Sequence, residues 1–214
     1  MREWISAAVA GLVLAGAANA ATVSADHGNI VVNGKAIMTS GHDSAPVLSP
    51  DGKRVVFVRT SDKTRPDCSA SGADTDEVEL WVVSTDGSGA HKLLGIAPSV
   101  DMHKTVCGFN DVQFSSDGAL LYFQTPAWAT SGAIHVYDFK SGKEHFVVDG
   151  DELIVLNRCD AKEYRDHLIV TQHKYFVFGG SYDWPWLISP AGKVEGLVGG
   201  DEVKLDEIVK GACS

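Results

Sequence analysis

Ser49-Pro50-Asp51-Gly52-Lys53-Arg54-Val55-Val56-Phe57-Val58 reads as a tight turn running directly into a strand. Pro50 presets φ for the turn, the Asp51 carboxylate can bond back to nearby amides, and Gly52 accepts a positive φ at little cost. The β-branched and aromatic run that follows suits a pleated surface. The phrase returns as Ser115-Ser116-Asp117-Gly118-Ala119-Leu120-Leu121-Tyr122-Phe123, and in a worn form as Thr171-Gln172-His173-Lys174-Tyr175-Phe176-Val177-Phe178. The copies start 66 and then 56 residues apart, the mark of a repeat protein built from small sheets.

Each copy predicts a four-stranded meander. In the first, Ala45 to Leu48 and Val55 to Thr60 flank the turn. A polar loop over 61–76 carries Cys68, and Val78 to Val83, the turn Asp86-Gly87-Ser88-Gly89 and His91 to Leu94 complete the unit. The second uses Asp111 to Phe114, Leu120 to Gln124, Ile134 to Phe139 and His145 to Val148. The third uses His167 to Thr171, Tyr175 to Phe178, Trp186 to Ser189 and Val194 to Val198, with Gly150-Asp151-Glu152-Leu153 and Gly200-Asp201-Glu202-Val203 as matching links. Such a unit must stack on neighbours, and radial stacking of four-stranded antiparallel blades is a small all-β propeller. A stacked sandwich is the rival arrangement.

Half-units remain at the ends. Ile30 to Met38, turning at Asn33-Gly34, is a hairpin. With a strand from Glu202 to Val209 it would make a partial fourth blade from the two chain ends and close the ring. The alternative is a short helix over Asp201 to Lys210 and an open ring.

The chain has 214 residues, 28 acidic and 18 basic, for a net charge of −10. That balance argues against nucleic acid as a partner. Residues 1–20 read as a signal peptide: Arg2 as the basic start, Trp4 to Leu14 as the apolar run and Ala18-Asn19-Ala20 as the cleavage site, which leaves a single domain over 21–214. An uncleaved anchor is the rival reading, and no later stretch is apolar and long enough to span a bilayer. The bacterial periplasm is the expected compartment. Four cysteines in an exported chain imply two disulfides with three possible pairings. If Cys68, Cys107, Cys159 and Cys213 all follow second or fourth strands, they share one rim, and the expected pairs are Cys68–Cys107 and Cys159–Cys213.

Val47-Leu48-Ser49-Pro50-Asp51-Gly52-Lys53-Arg54-Val55-Val56-Phe57, with Leu80-Trp81-Val82-Val83 and Asp86-Gly87, resembles the TolB-type propeller repeat. The resemblance implies a periplasmic propeller and, in that family, often protein binding. Related repeats also gate prolyl-oligopeptidase-like enzymes. The repeats are fewer than in the six-bladed TolB ring, and no α/β domain is read ahead of them, so TolB's partners are not carried over.

Asp51 and Asp117 fit turn chemistry better than a carboxylate pair, and Trp81 fits a core slot. His42-Asp43 and His103 are expected at one mouth of the propeller, where they could bind a partner. Trp184 and Trp186, around Pro185, could add an aromatic contact or pack into the third blade. No metal and no cofactor is expected, because the histidines and cysteines lack ligand spacing. The acidic stretches Asp74 to Glu77 and Asp149 to Glu152 fit solvated loops better than calcium loops. No nucleophile elbow, free thiolate or phosphate loop is present. The expected function is non-catalytic binding of a protein or peptide in the periplasm by a monomer or an edge-paired dimer. The alternatives are an inhibitor or immunity protein that blocks a hydrolase or toxin, and a hydrolase or lyase with its site at the propeller mouth.

Overall fold

The computed structural model describes residues 21–66, 74–200 and 204–213. The chain opens with a three-stranded sheet, β1 (Val23–Asp26), β2 (Asn29–Val32) and β3 (Lys35–Met38). Three four-stranded antiparallel blades follow. Blade 1 is β4 (Asp43–Leu48), β5 (Arg54–Pro66), β6 (Asp74–Ser84) and β7 (His91–Gly95). Blade 2 is β8 (Asn110–Phe114), β9 (Leu120–Pro126), β10 (Gly132–Asp138) and β11 (Lys143–Asp149). Blade 3 is β12 (Asp151–Val155), β13 (Leu168–Tyr175), β14 (Ser181–Ile188) and β15 (Val194–Leu197), and the helix α1 (Leu205–Ala212) ends the chain.

The second strand of each blade is buried on both faces, which is why it reads as an unbroken apolar run. Val55 and Phe57 point to the N-terminal sheet and meet Ile30 and Val32. Val56 and Val58 point the other way, to Phe114, Leu121 and Phe123 of blade 2. Tyr122 turns from those two residues toward Leu153, Leu168 and Val170 of blade 3. Ile169 faces the far side, where Leu205 and Val209 of α1 lie. Alternation along one strand thus joins each sheet to both neighbours.

The repeated turn is locked twice in the same way. The Ser49 hydroxyl donates to Asp51 at 2.6 Å and accepts from the Arg54 amide at 3.0 Å, while the Lys53 amide donates to Asp51 at 3.1 Å. Ser115, Asp117, Ala119 and Leu120 reproduce this at 2.7 to 2.9 Å. Gly52 and Gly118 hold φ near +70° (+69° and +70°). The Ser49 hydroxyl keeps Asp51 below the usual carboxylate range, and for Asp117 the Ala119 amide does so first and the Ser115 hydroxyl second. The turns are also tied across blades. Arg54 donates to Gly118 O at 2.8 Å and lies 4.3 Å over the Phe139 ring, and Asp166 accepts from the Ser116 amide and hydroxyl at 2.6 Å each.

Four expectations are corrected. The third unit is framed one strand earlier: Asp151 to Val155 is its inner strand, not a link, and Phe176 to Gly180 is a turn between β13 and β14. The Ser-x-Asp-Gly turn is replaced there by a loop from Leu156 to His167, closed by the Leu156 amide on His167 O at 2.8 Å. Without the turn motif, the apolar residues Val177 and Phe178 were the strongest local strand signal. Second, the re-framing moves Cys159 to the rim of the Ser-x-Asp-Gly turns, opposite the β7–β8 loop that holds Cys107. The Cys159–Cys213 bridge forms as expected, and Cys107 is disulfide-bonded, but its expected partner Cys68 lies outside the described residues. Third, the C-terminal segment is the helix of the alternative reading. Leu205, Ile208, Val209 and Ala212 recur at helical spacing, with Asp206 and Glu207 in the first turn and Lys210 in the last. Among the described residues no sheet combines strands from both chain ends, and the partial fourth sheet comes from the N-terminal segment. Fourth, the described parts of the 61–76 stretch are ribbon and not loop, since β5 and β6 pair out to Pro66 and Asp74.

Gly150, between β11 and β12, holds φ at +146°, and a Cβ there would lie 2.3 Å from Val170 Cγ1 and 2.7 Å from Thr171 O. Gly150→Ala is expected to cost about 2 to 4 kcal/mol, read as a lower urea midpoint. Gly34, at φ +78° with open space around it, provides the contrast: Gly34→Ala should cost only about 1 to 2 kcal/mol.

Candidate binding face

The antiparallel meander sorts the connections onto two rims. The Ser-x-Asp-Gly turns and the Leu156–His167 loop share one. The β3–β4, β7–β8, β9–β10 and β13–β14 connections share the other, with the outer end of the β5–β6 ribbon. His42, His103 and Trp184 lie toward this loop rim, but in three different blades, so no single cleft gathers them.

Blade 1 places His42 beside Asp62, with Nε2 3.9 Å from Oδ1 and both side chains exposed. Asp43 has a different role. Its carboxylate is fully buried and accepts from Arg59 Nε at 2.6 Å and Nη2 at 2.9 Å. The Asp43 bond raises the Arg59 pKa, and the guanidinium lies 4.5 Å over the Trp81 ring. Trp81 donates to Glu79 at 2.8 Å, and Lys92 donates to the other oxygen at 3.1 Å. Burial works against the Glu79 anion, but these two donors leave its pKa below the ordinary value. This network ties β4, β5, β6 and β7 together and occupies the groups a ligand would need.

Blade 2 places His103 on the 3-10 turn Met102–Lys104, capped by Asp101. Its ring lies 4.4 Å from Phe146 and 5.5 Å from Trp128, at a hollow of about 320 Å³ with Lys104, Glu144 and His145. Beneath it His135 Nδ1 bonds to Glu144, a pairing that could serve a general base. The His135 ring is wholly buried between Phe123 and Phe146, so no substrate reaches it.

Blade 3 separates the two tryptophans. Trp186 packs into the blade 2–blade 3 core. Trp184 is half-buried and continues an aromatic ladder, 4.3 Å from Tyr182 and 6.1 Å from Phe176, with Gly200 against its ring. The ladder leads to the β13–β14 tip, where Tyr175, Phe176, Val177 and Phe178 are 73%, 48%, 92% and 101% exposed. Sequence reading placed these four in a strand. The signal that they form a tip was available in the pair Gly179-Gly180 directly behind them.

Sequence reading also missed a bulge in each inner strand. Ala45, Asp111 and Glu152 take φ of +46°, +49° and +54° at equivalent places, breaking the β4, β8 and β12 ladders. Asp151, next to the third bulge, accepts from Gln124 and from the Gly132 amide at 3.0 Å. Burial raises its pKa, and Glu152, Asp183 and Asp111 add to the effect. Among the described residues no three His, Cys, Asp or Glu side chains are grouped to hold a metal ion.

Neither a protein-family model nor a curated protein matches the sequence. Solved structures do match. The chain resembles TolB from Acinetobacter baumannii at TM-score 0.51 and 16% identity, over 86% of this chain and 41% of that one. It resembles the β-propeller domain of the Trilobed protease from Pyrococcus furiosus, described as having an open velcro topology, at 0.54 and 14%, over 81% and 49%. Porphyromonas gingivalis dipeptidyl peptidase 4 follows at 0.55 and 10%, over 85% and 31%. The fold is a TolB-like β-propeller fold. The chain spans less than half the length of each of these three proteins. At such identities the likeness speaks for the fold alone, and function must be argued from the site.

Asp43→Ala should cost about 3 to 5 kcal/mol in chemical unfolding, because Arg59 is left half-buried without its anion, while His42→Ala should leave stability unchanged. Asp151 favours the protonated form in the fold, so it contributes stability that is complete below the unfolded carboxylate range and is lost as pH rises through its folded pKa. Asp151→Asn keeps an acceptor for Gly132 and removes the charge. The melting temperature of the variant relative to wild type should therefore rise between about pH 3 and about pH 7.

Proposed function

We propose that the chain is an exported, non-catalytic binding module that holds a protein or peptide partner on its loop rim. The observation that carries this reading is the β13–β14 tip. Tyr175, Val177 and Phe178 stand in solvent at the end of a hairpin, with half-buried Phe176 between them packed on the rings of Tyr182 and Trp184. Large exposed apolar clusters mark interaction surfaces, and tyrosine and tryptophan are over-represented where binding energy concentrates. Residues 1–20 act as the export signal, and the compartment is the periplasm. The oxidised Cys159–Cys213 pair supports an oxidising destination.

The test is crosslinking in the native periplasm with wild type and with the double variant Val177→Ser, Phe178→Ser. Both side chains are fully or almost fully exposed, so the variant should fold as wild type does by circular dichroism and melting. A discrete partner crosslinked to wild type and lost from the variant is the expected result. A partner retained equally by the variant, or turnover of a hydrolase or lyase substrate by the purified protein, would overturn the reading.

A further inference from the structure

The β13–β14 tip is convex, and its surroundings are acidic. Asp183 sits at the base of the hairpin opposite His173, with 2.7 Å between Oδ1 and Nδ1. Asp149 lies across from Lys174 at 4.0 Å, and Glu152 accepts from Thr171 on β13 at 2.8 Å. Asp151 is close enough to Glu152, Asp183 and Asp111 for their charges to raise its pKa. Lys174 and His173, in the same region of blade 3, each already face a carboxylate. The chain as a whole carries −10.

The tip is also held in shape. Phe176 packs at a tilt 4.7 Å from Tyr182, which packs at a tilt 4.3 Å from Trp184, and Tyr175 packs edge-on to His173 at 4.9 Å. Backbone bonds from Phe176 N to Gly180 O at 3.0 Å and from Gly179 N to Phe176 O at 3.1 Å close the turn. These bonds hold the turn backbone, so docking leaves only the Val177 and Phe178 side chains to be ordered.

Resting on the binding reading above, we infer that the partner is a protein presenting an apolar pocket rimmed by lysine or arginine, and that Val177 and Phe178 are the plug that enters it. The apolar tip requires a concave apolar receptor, and the carboxylates around its base select a cationic rim. The same carboxylates disfavour two other occupants. An anionic lipid surface would repel them, and bringing them to a headgroup layer would desolvate them. A second copy of this chain offers an apolar hollow between α1 and blade 3, lined by Leu156, Ile169, Leu187 and Val209, but its polar edge is the carboxylate Glu195 and not a cation.

The probes are three synthetic amphipathic helices of equal length: one with a leucine face and a lysine face, one with leucine and glutamate, and one with serine and lysine. Binding is measured by calorimetry. The leucine–lysine helix should bind at least about tenfold tighter than either of the others, and its affinity should fall as salt rises. Val177→Ser with Phe178→Ser should cost about tenfold or more, and Glu152→Gln with Asp183→Asn should weaken the leucine–lysine helix alone. Equal binding of the lysine and glutamate helices, or binding unchanged by the tip variant, would overturn the inference. So would tip-dependent sedimentation on phosphatidylethanolamine–phosphatidylglycerol vesicles, or tip-dependent self-association, in the absence of peptide binding. A periplasmic partner that crosslinks through the tip while the leucine–lysine helix fails to bind would overturn the charge assignment and leave the binding reading standing.

Discussion

A hydroxyl and a carboxylate two residues apart organise this molecule. In both intact turns the serine hydroxyl bridges the aspartate and the amide that begins the next strand, and the glycine supplies the left-handed step. This fixes where the second strand of a blade begins, and with it which side chains face each neighbour. The turn then becomes a handle. Arg54 grips the turn of blade 2, and Asp166 grips it from blade 3. Polar turn chemistry on one rim thus sets the register in which the apolar faces meet.

A stack of sheets with two apolar faces each cannot end without cover. At one end the three-stranded sheet presents Ile30 and Val32 inward and leaves Ser24, Asp26, Lys35 and Ala36 exposed. At the other end α1 lays Leu205 and Val209 against Ile169 and Leu187, and Cys159–Cys213 ties its end to the Leu156–His167 loop. A short helix on its own is marginal in water, so this one depends on the apolar face it covers and on the bridge that holds it there.

The two rims divide the labour. The turn rim spends its polar groups on holding the blades together. The loop rim carries the ribbon, the His103–Trp128–Phe146 contact and the aromatic tip, which are free of that duty. Asp43 is instructive here. Its position at the start of an inner strand suggested a ligand group, but Arg59 fills both carboxylate oxygens, and the pair serves blade 1 instead.

Local chemistry decided the turns and the strands buried on both faces. Ser49 to Val58 and Ser115 to Phe123 carry their own instructions, because a Ser-x-Asp-Gly turn and an unbroken apolar run act over a few neighbouring residues. The Cys159–Cys213 pair was expected too, but from a rim assignment that the frame of the third blade overturns. The frame of the third blade, the exposure of Tyr175 to Phe178, the left-handed steps at Asp111 and Glu152, and the choice of helix over strand after Lys204 were settled only in the folded molecule. Each depends on contacts between residues far apart in the chain. An apolar run such as Tyr-Phe-Val-Phe has the same local preference in a core strand and at a hairpin tip, and only the partner across the sheet, or the lack of one at its end, distinguishes them.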